Sequence, residues 1–351
     1  MLYSLARPLL FALDPEVAHR LTLGLADATL RLGLLRVARP QPLPVRVMGL
    51  DFPNPVGIAA GLDKQAGHVD ALAALGAGFI ELGGVTPRPQ PGNPRPRMFR
   101  IPAARAIVNR FGLNSVGVEA FVENLRRARA RAIVGVNIGR NHDTPNEAAA
   151  ADYERCLEVL YPHVHYVSIN VSSPNTAGMR DLQTAAALGA LLERLRARRD
   201  ALRERHGRQV ALVPKIAPDL DDAGIGAIAD ALRRSGMDGV IATNTTLARA
   251  GVEGLSGADE RGGLSGAPLY DQSTRVLAAL AHALGGEIPL IGVGGILSGA
   301  DAVTKMAAGA SLVQSYTGLV YRGSELVREC VESIRRRKEA PSRGHIPPSH
   351  E

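Results

Sequence analysis

Residues Ile169-Asn170-Val171-Ser172-Ser173-Pro174-Asn175-Thr176 place hydroxyls and carboxamides where an apolar run, Val164 to Val171, comes to its end. In proteins built of alternating strands and helices, ligands sit outside the carboxyl ends of the strands, so these side chains face a substrate rather than solvent. Lys64 and Lys215 also fall where apolar runs end. A buried ammonium there would stabilise an anionic substrate or an electron-rich cofactor ring, although a strand-end lysine can equally be a snorkelling surface group. Two glycine-rich segments, Gly292-Val293-Gly294-Gly295-Ile296 and Ala307-Ala308-Gly309-Ala310, fit a phosphate cradle of backbone N–H groups near a short helix.

The elements that must position these groups are legible in the hydrophobic pattern. Short runs rich in branched apolar residues recur at Pro55 to Ala60, Gly78 to Gly83, Ile133 to Ile138, Val164 to Val171, Val210 to Ile216, Gly239 to Asn244, Ile288 to Val293 and Ala310 to Gln314. Helical segments fit between and after them: Lys64 to Leu75, Val116 to Ala130, Glu147 to Leu160, Ala185 to Arg205, Asp221 to Ser235, Gln272 to Leu284, Ser298 to Ala308 and Ser324 to Arg337. Eight strand-helix units predict an α/β protein, a closed (β/α)8 TIM barrel with strands buried on both faces. Its active face would carry Asp63-Lys64, Thr86, Asn137, Asn170, Lys215, Asn244-Thr245, Gly294-Gly295 and Tyr316-Thr317. The long connection Gly84 to Ser115, stiffened by five prolines between 87 and 96, should form a lid or wall over the barrel mouth. In a second long connection, Thr246 to Tyr270, Gly262-Gly263-Leu264-Ser265-Gly266 permits close approach to a ligand or serves as a plain surface loop.

Residues 1–40 lie outside the barrel. Leu2, Leu5, Leu9 and Leu13 sit near helical spacing with Phe11 close by, and Asp14-Pro15-Glu16 supplies a cap, a first-turn proline and an early acid for a second helix bearing Val17, Leu21, Leu25 and Leu32. From the residues alone this helical hairpin either plugs the bottom of the barrel or lies on a membrane with Arg7, Arg20, Arg31, Arg36 and Arg39 near headgroups. A proline-rich linker, Pro40 to Pro44, leads to a catalytic domain over 41–337, and 338–351 reads as a disordered tail. The net charge of +7 fits a solvated surface as well as an anionic substrate or lipid. Cys156 and Cys330, each inside a predicted helix, suggest no disulfide, the histidines show no metal spacing, and no apolar stretch approaches the ~20 residues needed to span a bilayer. The start lacks a small-residue cleavage site, so a reducing cytoplasm is expected.

Seven segments together resemble the class 2, quinone-dependent dihydroorotate dehydrogenases: Ala60-Gly61-Leu62-Asp63-Lys64, Val85-Thr86-Pro87-Arg88-Pro89-Gln90-Pro91-Gly92-Asn93, Asn170 to Thr176, Lys215-Ile216-Ala217-Pro218-Asp219-Leu220, Thr243-Asn244-Thr245-Thr246, Gly262 to Gly266 and Ile291 to Gly295. The resemblance runs in order from about Tyr3 to Arg337. It implies one FMN per subunit, oxidation of (S)-dihydroorotate to orotate as the fourth step of pyrimidine (UMP) synthesis, and electron transfer to a membrane quinone. By the same resemblance Ser173 is the base, with a water relay through Thr176; a cysteine there would have indicated the soluble class 1 enzymes. Substrate contacts fall on Lys64, Asn109, Arg110, Phe111, Gly112, Leu113, Asn170, Asn175, Asn244 and Thr245. Carboxamides suit a ring with alternating N–H and C=O groups, and Lys64 suits its charge. FMN contacts fall on Ala60, Gly61, Leu62, Asp63, Lys64, Gly84, Asn137, Asn170, Lys215, Thr243, Gly266, Gly295, Tyr316 and Thr317, and His19, Arg100 and Tyr316 match a quinone tunnel.

The resemblance favours the membrane reading of the hairpin and implies a monomer, without nucleic acid partners, on the cytoplasmic face of a bacterial inner membrane. Two departures stand out. Gly84 replaces a usual hydroxyl residue, leaving only a backbone contact to FMN, and Leu113 replaces an aromatic ring near the base, which should alter the shielding of Ser173. A flavin-free phosphate-binding aldolase would share the cradle and lysines but not the serine-carboxamide motif; a non-catalytic membrane protein would share only the hairpin and charge.

Overall fold

The computed structural model describes residues 2–34 and 40–339; Arg36, Arg39 and the tail from residue 340 lie outside the described residues. Strands Val56–Ile58, Phe79–Val85, Ile133–Ile138, Tyr166–Asn170, Ala211–Ile216, Val240–Ala242, Leu290–Val293 and Ala310–Ser315 pair in parallel and close on themselves. Each falls on an anticipated run, because a strand buried on both faces must be apolar nearly throughout. Closure leaves no free edge. The helices outside present one apolar face each, with Leu188, Leu191, Leu192 and Leu195 of Ala185–His206 buried against the sheet side, Arg194, Arg203 and Arg205 outward, and Arg199 buried in a pair with Asp238 at 2.6 Å.

The bottom of the barrel is filled by Phe79, Tyr166, Ile241, Ile291 and Leu312 and sealed by an antiparallel hairpin, Val45–Val47 with Leu50–Phe52. Phe52 meets Phe79 edge to face, with ring centroids 5.2 Å apart. This overturns the plug reading of the N-terminal helices, which sit at the opposite end. Helices Leu2–Ala12 and Pro15–Arg31 reach the active-face loops. Arg7 donates to the Tyr321 carbonyl at 2.9 Å, Tyr3 donates to the Val320 carbonyl, and Arg97 grips Glu16 at 2.8 Å. Asp14 caps the second helix, accepting N–H bonds from Glu16 and Val17 at 3.0 Å.

Three differences from the sequence reading affect the site. The helix expected over Lys64 to Leu75 is only Val69–Ala73, since the buried Asp63 carboxylate accepts N–H bonds from Gln65, Gly67 and His68 and holds that stretch as a loop. The lid region and the glycine segment are one structure: Met98–Ile101, Ala106–Asn109 and Gly263–Gly266 form an antiparallel sheet of three strands. A short helix, Thr317–Arg322, follows the last barrel strand, and the final helix runs to Glu339, past the expected start of the tail.

Candidate active site

A cavity at the carboxyl ends of the strands collects Ala60, Gly61, Lys64, Gly84, Asn109, Phe111, Gly112, Leu113, Asn137, Asn170, Ser173, Asn175, Lys215, Thr243, Asn244, Thr245, Gly266, Gly295, Tyr316 and Thr317. These groups come from all parts of the chain because parallel strands bring their ends to one face. Ser173 is buried, and its Oγ accepts the Asn175 N–H at 3.3 Å. The Asn175 amide in turn donates to Asn109 Oδ1 at 3.4 Å, tying the serine loop to the three-stranded sheet. Thr176 Oγ1 is buried with no protein partner among the described residues.

The carboxamides form a chain across the mouth. Asn244 Nδ2 donates to Ser172 Oγ at 3.0 Å and to Asn170 Oδ1 at 3.4 Å, Asn170 Nδ2 donates to Asn137 Oδ1 at 3.0 Å, and Asn137 Nδ2 donates to Ser168 Oγ at 2.8 Å. The Lys64 ammonium lies 4.8 Å from the Phe111 ring centroid. Burial, helped by nearby Arg97 and opposed by Glu16, lowers its pKa to about 8. Lys215 is buried 3.7 Å from Glu81.

Gly84 and Leu113, the two departures, turn out to be neighbours. A Cβ on Gly84 would lie 2.7 Å from Leu113 Cδ2 and 3.2 Å from Asn137 Oδ1, so the leucine occupies the space a side chain at 84 would need.

Three residues expected at the site do not line this cavity. Leu62 faces a second cavity, the Asp63 carboxylate is taken up by its own loop, and Arg110 turns away to pair with Glu260 at 2.6 Å. That second cavity is apolar and lies between the N-terminal helices and the barrel, with His19, Arg100, Phe11, Leu23, Met98 and Val320 in its walls. Arg100 donates to the Leu10 carbonyl at 3.0 Å and to the Leu13 carbonyl, with its guanidinium 4.6 Å from the Phe11 centroid. Burial, then Lys64 and His68, lower the His19 pKa, which keeps the ring neutral at pH 7. Tyr316 lines the first cavity and packs against the buried cluster that holds Met98, a wall of the second, so it stands between the two.

A model of the family described as dihydroorotate dehydrogenase matches residues 42–337. The chain belongs to the dihydroorotate dehydrogenase family. Within that family it is 57% identical to a dihydroorotate dehydrogenase (quinone) of Stenotrophomonas maltophilia over 350 residues, covering 99% of this chain and all of the relative. It is 58% identical to the dihydroorotate dehydrogenase (quinone) of Thiobacillus denitrificans over 335 residues, 95% of this chain and 99% of that one. The DHODH of Eimeria tenella in complex with ferulenol superposes with a TM-score of 0.85 at 36% identity, covering 92% of this chain and 90% of that one. In this family member, sequence reasoning missed Glu81, Tyr166, Ser168 and Gln314, which lie beneath the mouth. The available signal was a single acid inside the otherwise apolar run Gly78 to Gly83.

Proposed function

We propose that this chain oxidises (S)-dihydroorotate to orotate, the fourth step of pyrimidine synthesis, with FMN as its resident cofactor and a membrane quinone as electron acceptor. The observation that carries this reading is the single cavity that unites Ser173, five asparagine carboxamides and Lys64 with Lys215 and the Gly294–Gly295 turn. FMN fits these residues: Gln314 Oε1 is buried without a protein partner among the described residues and its residue lines the cavity, and the Gly294–Gly295 turn lines it with backbone at φ +117° and +74°, conformations that side chains rarely adopt. When bound, FMN supplies the two-electron chemistry.

The protein's own residues do the rest. Ser173 takes the substrate proton at Oγ; a serine hydroxyl is a weak base, so it needs the shielding and the fixed hydrogen bond found here, and Thr176, whose buried Oγ1 has no protein partner among the described residues, relays the proton onward through water. Asn109, Asn170, Asn175 and Asn244 donate to and accept from the substrate ring, and Lys64 holds its carboxylate. Lys215 sets positive charge beside the cofactor ring, and Gly266, Gly295 and Thr317 hold the phosphate.

The apolar cavity behind Tyr316 is the path for quinone. No described helix is long and apolar enough to cross a membrane. The N-terminal helices instead expose Leu5 at 77%, Leu9 at 76% and Leu25 at 60%, beside Arg20 and Arg31, which suits peripheral attachment to a lipid surface.

The test is anaerobic mixing of the FMN-loaded protein with dihydroorotate. Rapid loss of oxidised-flavin absorbance, recovered on adding a short-chain quinone, is expected; an unchanged spectrum overturns the reading. Lys64 adds a pH signature. Its ammonium is the binding form, so kcat/KM for dihydroorotate should fall about tenfold per unit as pH rises above about 8. A Lys64→Met variant with the same alkaline limb would remove Lys64 from that role.

A further inference from the structure

The strand Phe79–Val85 holds one acid, Glu81, with no exposure to solvent. Five side chains converge on it. Glu81 Oε1 accepts from Ser168 Oγ at 2.8 Å and from Asn137 Nδ2 at 3.5 Å, with the Lys215 ammonium at 3.7 Å; Oε2 accepts from Gln314 Nε2 at 2.7 Å and from the Tyr166 hydroxyl at 3.1 Å. Burial and the neighbouring carboxylate push the Tyr166 pKa well up, so the phenol keeps its proton and donates.

A carboxylate accepts only, and this forces the direction of every bond above it. Ser168 must donate to Glu81 and so accepts from Asn137 Nδ2. That turns Asn137 Oδ1 toward Asn170 Nδ2, and Asn170 Oδ1 toward Asn244 Nδ2. The same carboxylate orients Gln314, whose Nε2 it engages while Oε1 stays unpartnered.

We propose that Glu81 is the positioning residue of the active site: it sets the donor direction of the Asn137–Asn170–Asn244 chain and balances the charge of Lys215 beneath the cofactor. The inference rests on the flavin-dependent function proposed above. Two consequences follow from its two roles. Removing the negative charge leaves Lys215 uncompensated, which favours the electron-rich, reduced form of the bound flavin. Breaking the chain at Ser168 leaves the charge in place but leaves Asn137 Nδ2 only its long 3.5 Å bond to Glu81, which loosens the carboxamides.

The experiment compares FMN-loaded wild type with Glu81→Gln and Ser168→Ala, reading the flavin midpoint potential at pH 6.5 by spectroelectrochemistry and KM and kcat for dihydroorotate. Glu81→Gln should raise the potential by at least the tenfold change in the reduced-to-oxidised equilibrium that corresponds to about 30 mV for a two-electron couple. Ser168→Ala should leave the potential unchanged and raise KM about threefold to tenfold, the loss of one hydrogen bond. A Glu81→Gln protein with wild-type potential overturns the charge role, and a Ser168→Ala protein with wild-type KM overturns the orienting role. If Glu81→Gln does not retain FMN, Ser168→Ala alone decides the orienting role and Glu81→Asp, which keeps the charge, must retain the wild-type potential. A wild-type protein that takes up no FMN overturns the functional reading as well, whereas loaded variants indistinguishable from wild type overturn this inference alone.

Discussion

Replacing Ser173 by alanine is expected to slow reduction of the bound flavin by dihydroorotate about 10²- to 10⁴-fold, the range a positioned general base contributes. The substitution removes one oxygen whose only hydrogen bond among the described residues is the 3.3 Å contact from the Asn175 N–H, so the loop and the proposed substrate-binding carboxamides of Asn109, Asn175 and Asn244 stay in place. Dihydroorotate affinity, taken from the concentration dependence of the reduction rate, should therefore stay within a few-fold of wild type. Stopped-flow absorbance under anaerobic conditions separates the two quantities. A variant that reduces its flavin at the wild-type rate would move the base to another group; one that loses rate and affinity together would make Ser173 a binding residue.

Gly295→Ala is the second large effect, and it acts on the cofactor. Gly295 has φ +74°, in the region L side chains avoid, and an added Cβ would lie 2.5 Å from Tyr270 Cα and 2.7 Å from its backbone nitrogen. Tyr270 begins the helix Tyr270–Leu284, whose Val276, Leu277 and Leu280 are fully buried, so it cannot retreat cheaply. The apoprotein relieves the backbone strain and overpacking, about 1 kcal/mol each, by shifting the turn, and FMN binding must restore it, which corresponds to a loss of FMN affinity of up to roughly 30-fold. Fluorescence titration of the apoprotein measures it. Riboflavin, which lacks the phosphate, should lose less than FMN; equal losses would show that the turn at Gly295 does not serve the phosphate.

The active site is legible in the chain because the barrel converts sequence position into spatial position. Asn170, Lys215, Thr243 and Tyr316 all follow apolar runs, and a closed parallel sheet carries every such end to one face, so they could be assigned to one cavity without coordinates. Proximity in sequence alone does not put a side chain in the cavity. Leu62 and Asp63 sit beside Gly61 and Lys64, yet one turns to the apolar cavity and the other to the N–H groups of its own loop. Arg110 follows Asn109 at the end of the central strand of the three-stranded sheet, where successive side chains alternate, and its guanidinium finds Glu260.

Periodicity and strand-end chemistry are local properties, and through them the amino-acid sequence by itself determined the eight strands, the order of strand and helix, the mouth that binds ligand and most of the residues in it. Where the N-terminal hairpin sits was decided only by tertiary structure, since its packing depends on Arg97, Arg100 and Tyr321, all remote in the chain. The three-stranded sheet was decided there too, because Ala106–Asn109 pairs with Gly263–Gly266, which lies far along the chain beyond several barrel strands. So was the role of Glu81: a lone acid in an apolar strand is a conflict in one dimension, and it is resolved only when Ser168, Lys215, Gln314 and Tyr166 arrive from three other strands to surround it.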